Sequence, residues 1–293
     1  MEFLSYLITG LGLGSVYAII ALGYTMVYGI AKMLNFAHGD VIMVGAYAAF
    51  FVVGKFNMPA IVAVFVSILI CTLLGVLIER LAYKPLREAS SLSVLITAIG
   101  VSYFLQNGAQ ILWGTDTKIF PTLVDFGNIS LFNDKLQISI LTLVTILVCI
   151  VIMIVLTTFI NKTKIGKAMR ACSEDKATAQ LMGISVNKTI SITFAIGSGL
   201  AAIASILLCS TYPAVNPTLG SMPGIKAFTA AVFGGIGSIP GAFIGGLLLG
   251  ILETLAKAYI SSQMSDAIVF LVLIIVLLIR PTGLLGKKIS EKV

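Results

Sequence analysis

The stretch 161-NKTKIGKAMRACSEDKATAQLMGISVNK-188 decides how the rest of the chain is read. It is a polar island between two long apolar runs, with Lys162, Lys164, Lys167, Arg170, Lys176 and Lys188 against only Glu174 and Asp175. A basic loop between greasy segments faces the cytoplasm under the positive-inside rule. The island also carries the punctuation of a short helix. Ser173 is a residue type that N-caps helices. Glu174 and Asp175 would then sit in the first turn, where the helix dipole favours negative charge. Gly183 suits the left-handed position that ends a helix. The expected element is a capped helix of roughly two to three turns over about 174–182. Ala177, Leu181 and Ile184 recur at i, i+4 and i+7, a small apolar stripe. Such a stripe fits a groove in a soluble partner or a membrane surface.

Outward from the island the chain is apolar. Of its 293 residues 58% are hydrophobic and 11% charged, against about 25% charged in soluble domains. Several runs reach the roughly 20 apolar residues that cross a bilayer as a helix. The fold class is therefore all-α and polytopic in the membrane, with about eight long helices and one short or broken crossing, in a single transmembrane domain over 1–293. A transmembrane barrel would show short alternating segments instead. The net charge of +7 lies mostly in short loops and does not indicate nucleic-acid binding. The opening MEFLSYLITG lacks the positive n-region of a cleaved signal peptide.

The runs are Leu4 to about Ile30, Val41–Val53, Ala60–Ile78, Leu92–Trp113, Ile138–Ile160, Thr189–Tyr212, the stretch from Gly235 to near Tyr259, and Ala267–Ile279. ERLAYKPLREASS (Glu79–Ser91) is basic through Arg80, Lys84 and Arg87, hence cytoplasmic, and so is RPTGLLGKK (Arg280–Lys288). Gly114–Gln137 sets Asp116, Asp125 and Asp134 against Lys118 and Lys135 and reads as outside. Trp113 suits an interfacial anchor. PAVNPTLGSMPG (Pro213–Gly224) is too rich in Pro and Gly for regular helix. Parity then makes Ile225–Gly235 a short crossing helix with Pro213–Gly224 as its re-entrant approach. The N-terminus falls outside. Gly12–Ser15 and Gly235–Ser238 share a GxGS pattern, a hint of internal duplication.

No catalytic set is visible. There is one histidine, His38, and neither HExxH, GxSxG nor a Walker motif. Cys71, Cys149, Cys172 and Cys209 lack metal-ligand spacing and read as small buried hydrophobes. No resident metal or cofactor is expected. Glu253 and Lys257, four apart, can pair on one helix face. Two readings stay open for the break AKMLNFAHGD (Ala31–Asp40). In one, Asp40 or Asn35 caps the helix starting near Val41, with His38 at the interface. In the other, Asn35, His38 and Asp40 line a substrate path. Asn216 and Ser221, in irregular backbone at membrane depth, are further path candidates. Gly237, Gly241 and Gly245 recur every fourth residue, a pattern for helix packing or for sliding during gating.

Several segments together resemble the shorter, H-type permease subunit of bacterial branched-chain amino-acid ABC importers, within the binding-protein-dependent transport permease superfamily. They are GSVYAIIALGYTMVYGIAKMLNFAHGD (Gly14–Asp40), ERLAYKPLR (Glu79–Arg87), SYFLQN (Ser102–Asn107), GKAMRACSEDKATAQLMGI (Gly166–Ile184), GIKAFTAAVFGGIGSIPGAFIGGLLLGILETL (Gly224–Leu255) and RPTGLLGK (Arg280–Lys287). The resemblance implies a non-catalytic subunit of the bacterial inner membrane, forming a heterodimer with a second, related permease. It further implies two cytosolic ATPases, which bind the ATP and Mg, and a periplasmic or lipid-anchored binding protein. Permeases of this class carry a cytoplasmic coupling helix with an EAA-xxx-G pattern. Ala177–Gly183 aligns with it, with Ala177 in the place of Glu. Ser173, Glu174, Asp175, Ala177, Ala179, Leu181, Met182 and Gly183 are thus the expected ATPase contact. The implied cargo is a branched-chain amino acid. Urea or short amides in the same importer class and an ion-coupled secondary transporter are the alternatives.

Overall fold

Without water, a backbone must satisfy its own N–H and C=O groups, so apolar runs become helices. The computed structural model describes residues 2–87, 89–123, 127–131 and 136–286. Asp125, Asp134, Lys135, Lys287 and Lys288, which the sidedness argument used, lie outside the described residues. The helices are α1 (Glu2–Ala31), α2 (His38–Gly54), α3 (Ala60–Ile78), α4 (Ser91–Trp113), α5 (Ile140–Lys162), α6 (Lys164–Glu174), α7 (Lys176–Leu181), α8 (Val186–Thr211), α9 (Ser221–Gly234), α10 (Ile239–Tyr259) and α11 (Ser265–Ile279). A π turn (Glu79–Tyr83) and a 3-10 turn (Lys84–Leu86) prolong α3.

Against the expectation of eight long helices, six among the described residues are long and apolar enough to span: α1, α3 with its extension, α4, α5, α8 and α10. Two shorter apolar helices, α2 with 17 residues and α11 with 15, join them. One expectation is corrected. Ser221–Gly224 is the first turn of α9 rather than irregular backbone. Pro223 is compatible with that turn, because the first N–H groups of a helix have no intrahelical partner to lose.

The chain groups into two compact units, one of residues 1–25, 126–153 and 226–293, the other of residues 26–125 and 154–225. In the first, α1 and α10 meet backbone to backbone. A Cβ on Gly14 would lie 2.8 Å from the Leu247 carbonyl oxygen, and one on Gly250 would collide with the Gly14 backbone. The strands β2 (Asn128–Leu131) and β3 (Leu136–Ser139) form an antiparallel pair with Ile129 opposite Ile138. After α11 the chain returns to α9, where the Leu284 and Leu285 N–H groups donate to the Phe233 and Gly234 carbonyls, both at 2.9 Å. That satisfies the last carbonyls of α9.

In the second unit α2, α3 and α8 pack together. Ser67 donates to the Gly45 carbonyl at 2.9 Å, a hydrogen bond from α3 to α2. Met43, Ala46, Tyr47, Ala63, Ile206 and Val215 are part of its core. The Trp113 ring lies 4.3 Å from that of Tyr47, centroid to centroid, so the tryptophan packs against α2. Two short strands, β1 (Lys118–Ile119) and β4 (Ala214–Val215), pair antiparallel.

Helices in lipid associate through close packing rather than hydrophobic expulsion. Gly250→Leu is therefore expected to cost about 3 kcal/mol or more by overpacking. Thermal unfolding in detergent measures it, and Gly100→Leu, which meets open space, is expected to leave the midpoint unchanged.

Candidate functional site

The island contains two helices. Thr163 caps α6, its hydroxyl accepting the Gly166 N–H at 3.0 Å. The exposed side of α6 carries Lys164, Lys167 and Arg170, while Gly166, Met169 and Cys172 are buried. The cap of α7 is Asp175, not Ser173. Its carboxylate accepts the Ala177 and Thr178 N–H groups at 2.8 and 3.1 Å and the Thr178 hydroxyl at 2.9 Å. Ser173 is already inside α6, where its hydroxyl donates to the Arg170 carbonyl at 2.7 Å. Glu174 ends α6 instead of opening α7. The extended backbone needed for a cap falls at Asp175 (φ −153°). At the other end Gly183 is left-handed (φ +81°). The Gly183 N–H donates to the Gln180 carbonyl and the Ile184 N–H to the Ala179 carbonyl, both at 3.0 Å. This paired closure satisfies the last carbonyls.

So α7 is six residues long, shorter than expected, with both ends closed. Ala179 is buried and Ala177 exposed. Leu181 is 88% exposed and Met182 78%. Ile184 lies beyond the helix end. The Lys176 ammonium donates to the Ala31 carbonyl at the end of α1 at 2.6 Å, where a cation complements the helix dipole. Burial, then the charges of Arg87 and Lys32, hold Lys176 below the usual lysine range.

A second anchor lies beside it. Glu79, fully buried, pairs with Arg87 and accepts the Ser191 hydroxyl of α8 at 2.6 Å. Arg87 also donates to Asn187. The Tyr83 hydroxyl donates to the Asn35 side-chain oxygen at 3.0 Å. Sequence reading took Arg87 only as a marker of sidedness and passed over Glu79. A lone carboxylate closing a 19-residue apolar helix was the available signal.

Neither Asn35 nor Asp40 caps α2. The helix starts at His38, the N-cap position is Ala37, and no side chain bonds there. The helix can start that early because the Asn35 and Ala37 backbone carbonyls accept the His38 and Asp40 N–H groups. Asp40, 2% exposed, lies in the first turn. Its carboxylate accepts from Gln106 Nε2 of α4 at 2.8 Å, and the same nitrogen lies 3.2 Å from the Ser102 hydroxyl and 3.3 Å from that of Ser221. Gly39 and Gly220 touch through their backbones, which draws the starts of α2 and α9 together. Asn216 accepts the Thr218 N–H and hydroxyl, each at 3.1 Å. With Gln110, Thr115, Thr117, Pro217 and Thr218 it lines a cleft of about 210 Å³. Asp40 and Ser221 are thus brought together, through a glutamine that sequence reading did not single out. Asn35 goes to Tyr83 instead, and His38 is buried at the first position of α2.

In the other unit Glu253, 1% exposed, pairs with Lys257 at 2.6 Å and Lys226 at 2.8 Å and accepts the Tyr17 hydroxyl at 2.9 Å. Lys226 also reaches Asp266 at 2.6 Å. Of the three glycines in the sequence pattern, Gly241 and Gly245 lie in α10 against the carbonyls of Gly234 and Ala230 in α9. Gly237 belongs to the preceding turn, with φ +92°. It is corrected from a packing position to a turn position, because only a residue without Cβ adopts that φ at little cost.

Along nearly its whole length the chain is similar to known transport permeases. Residues 6–277 match the family described as branched-chain amino acid transport system / permease component. The high-affinity branched-chain amino acid transport system permease protein LivH of Escherichia coli (strain K12) is 46% identical over 303 residues, covering 100% of this chain and 98% of that protein. The corresponding protein BraD of Pseudomonas aeruginosa is 46% identical over 304 residues, with the same coverage. The probable branched-chain amino acid transport permease protein LivH of Methanocaldococcus jannaschii is 33% identical over 285 residues, 92% of this chain and 88% of that one. The chain belongs to this family of permease components and is a multi-pass membrane protein.

Breaking a buried ion pair from one side leaves an uncompensated charge. Arg87→Met is expected to destabilise by about 3–5 kcal/mol, read as a lowered unfolding midpoint in detergent. The double variant Glu79→Gln/Arg87→Met recovers most of the loss, because both charges are then absent.

Proposed function

We propose that this chain is one permease half of an ATP-driven importer that carries branched-chain, hydrophobic α-amino acids across the bacterial inner membrane. The observation that carries the reading is the exposed pair Leu181 and Met182 at the end of α7. A helix closed at both ends holds two large apolar side chains away from its own protein, in a loop whose basic charge supports a cytoplasmic position. That is the form of a contact made to a soluble partner by a helix seated in a groove. In this reading the partners are two ATPase subunits, and Asp175, Ala177, Leu181, Met182 and Gly183 belong to the contact. Ala177 leaves the contact without the acidic residue usual in the pattern. A second, related permease completes the pore, and a substrate-binding protein delivers cargo from outside. The eight crossings are the six long helices with α2 and α11, and α9 is the short one, in an importer permease fold.

ATP binding by the partners moves α7. Lys176 on the Ala31 carbonyl passes that movement to the end of α1. Rigid-body shifts of this kind switch a pore between outward- and inward-facing states. Asn35, His38, Asp40, Asn216 and Ser221 are the substrate-path candidates. Gly241 and Gly245 are the packing contacts across which α9 and α10 slide.

Leu181→Asp is expected to abolish co-purification of the ATPase subunits while membrane insertion is unchanged. Gly183→Pro, which cannot adopt the left-handed turn, is expected to do the same. Retained co-purification with both variants overturns docking at α7. Substrate-dependent ATPase assays of the native complex with amino acids and urea separate the two cargo classes. Uptake by this chain alone, driven by an ion gradient, would overturn the importer reading.

A further inference from the structure

Three carboxylates are buried among the described residues: Glu79, Asp40 and Glu253. Each costs several kcal/mol to remove from water unless it is compensated. Glu79 is compensated by Arg87, and Glu253 by Lys226 and Lys257. Asp40 has no ion pair among the described residues. Its contacts are neutral, and they are contested. The Gln106 amide nitrogen carries two hydrogens, yet three acceptors surround it: Asp40, Ser102 and Ser221. The Ser102 hydroxyl also bonds the Asp40 carboxylate, so uncharged donors alone hold this buried negative charge.

The cluster is also reachable. Gln106 lies 15 residues into α4, about 22 Å from Ser91 and about 10 Å from Trp113. Ser102, Gln106 and Gln110 are four residues apart and share one half-buried face. Gln110 lines the cleft that also contains Asn216 and Thr218. Polar side chains therefore run from the cleft, along α4, to Asp40. Exposed apolar positions on α4 include Phe104 (76%) and Ile111 (84%). A buried ionisable group in an apolar helix, with no built-in counter-charge and at the end of a polar face, is a candidate for a transport path.

We propose that Asp40, with Gln106, Ser102 and Ser221, is a transient binding station for the ammonium group of the transported amino acid, and that Gln110, Gln106 and Ser102 line its approach. The inference rests on the amino-acid permease reading and deepens it. A cargo ammonium supplies the counter-charge that Asp40 lacks, and its three N–H groups can donate to the carboxylate and the neighbouring hydroxyl oxygens. A neutral cargo such as urea would gain no ion pair here. The station thus reads the amino group that all α-amino acids share.

The test uses the complete complex, with both permeases, the ATPases and the binding protein, in proteoliposomes supplied with ATP and labelled leucine. Asp40→Asn is expected to lower the initial uptake rate about tenfold, the size of one charged hydrogen bond. Asp40→Glu keeps the charge and is expected to restore most of it. Uptake by Asp40→Asn at the wild-type rate overturns the inference. Absence of ATP-dependent leucine uptake by the wild-type complex instead overturns the permease reading.

A second arm does not depend on that substitution. The four native cysteines are buried, so single cysteines at Ser102, Gln106 and Gln110 can be labelled. Each is expected to react with a water-soluble thiol reagent and to lose uptake on reaction, while Phe104→Cys does neither. Unreactive positions 106 and 110, or equal reaction at 104, overturn the path.

Discussion

Close approach of backbones in an apolar medium is the constraint on which the rest of the structure depends. Lipid tails are as apolar as the side chains, so helices gain little by hiding greasy surface from them. They gain by packing densely, and density requires positions with no side chain in the way. Gly14 and Gly250 meet that need between α1 and α10, and Gly39 and Gly220 between the starts of α2 and α9. The second meeting matters for chemistry, because it brings Asp40 within reach of a glutamine on α4 that also faces Ser221.

The same medium makes charge expensive, and the chain handles its buried carboxylates in two ways. Glu79 and Glu253 are enclosed by cations and hydroxyls. Such clusters hold elements in register, since removing one member strands the others. Asp40 is held only by neutral donors, which leaves part of its electrostatic demand for something that arrives and departs. Structural and transport chemistry are thus separated by whether a counter-charge is built in.

In the polar island 161–188 the balance is reversed. There water is present, helix ends can be closed by short polar residues, and apolar side chains are the unusual exposed groups. Asp175 and Gly183 close α7, and Lys176 ties its start to the last turn of α1. Among the side chains left outward are Leu181 and Met182, two large apolar groups at the helix end.

Much of this was legible in one dimension. The long apolar helices follow from apolar runs, because membrane thickness and backbone satisfaction act on contiguous sequence. A bounded helix ending at Gly183 could be read the same way, though its start could not. Ser173 and Asp175 are both competent caps, and the continuation of α6 through Glu174 decided between them. The partners of the buried charges were not legible. Gln106 is 66 residues from Asp40 and Ser191 is 112 from Glu79, and no local pattern links them. Sequence by itself determined the helical, apolar class of the chain and where its polar, basic loops fall. Only the tertiary structure decided which carboxylate has a counter-charge, because that depends on which helices touch.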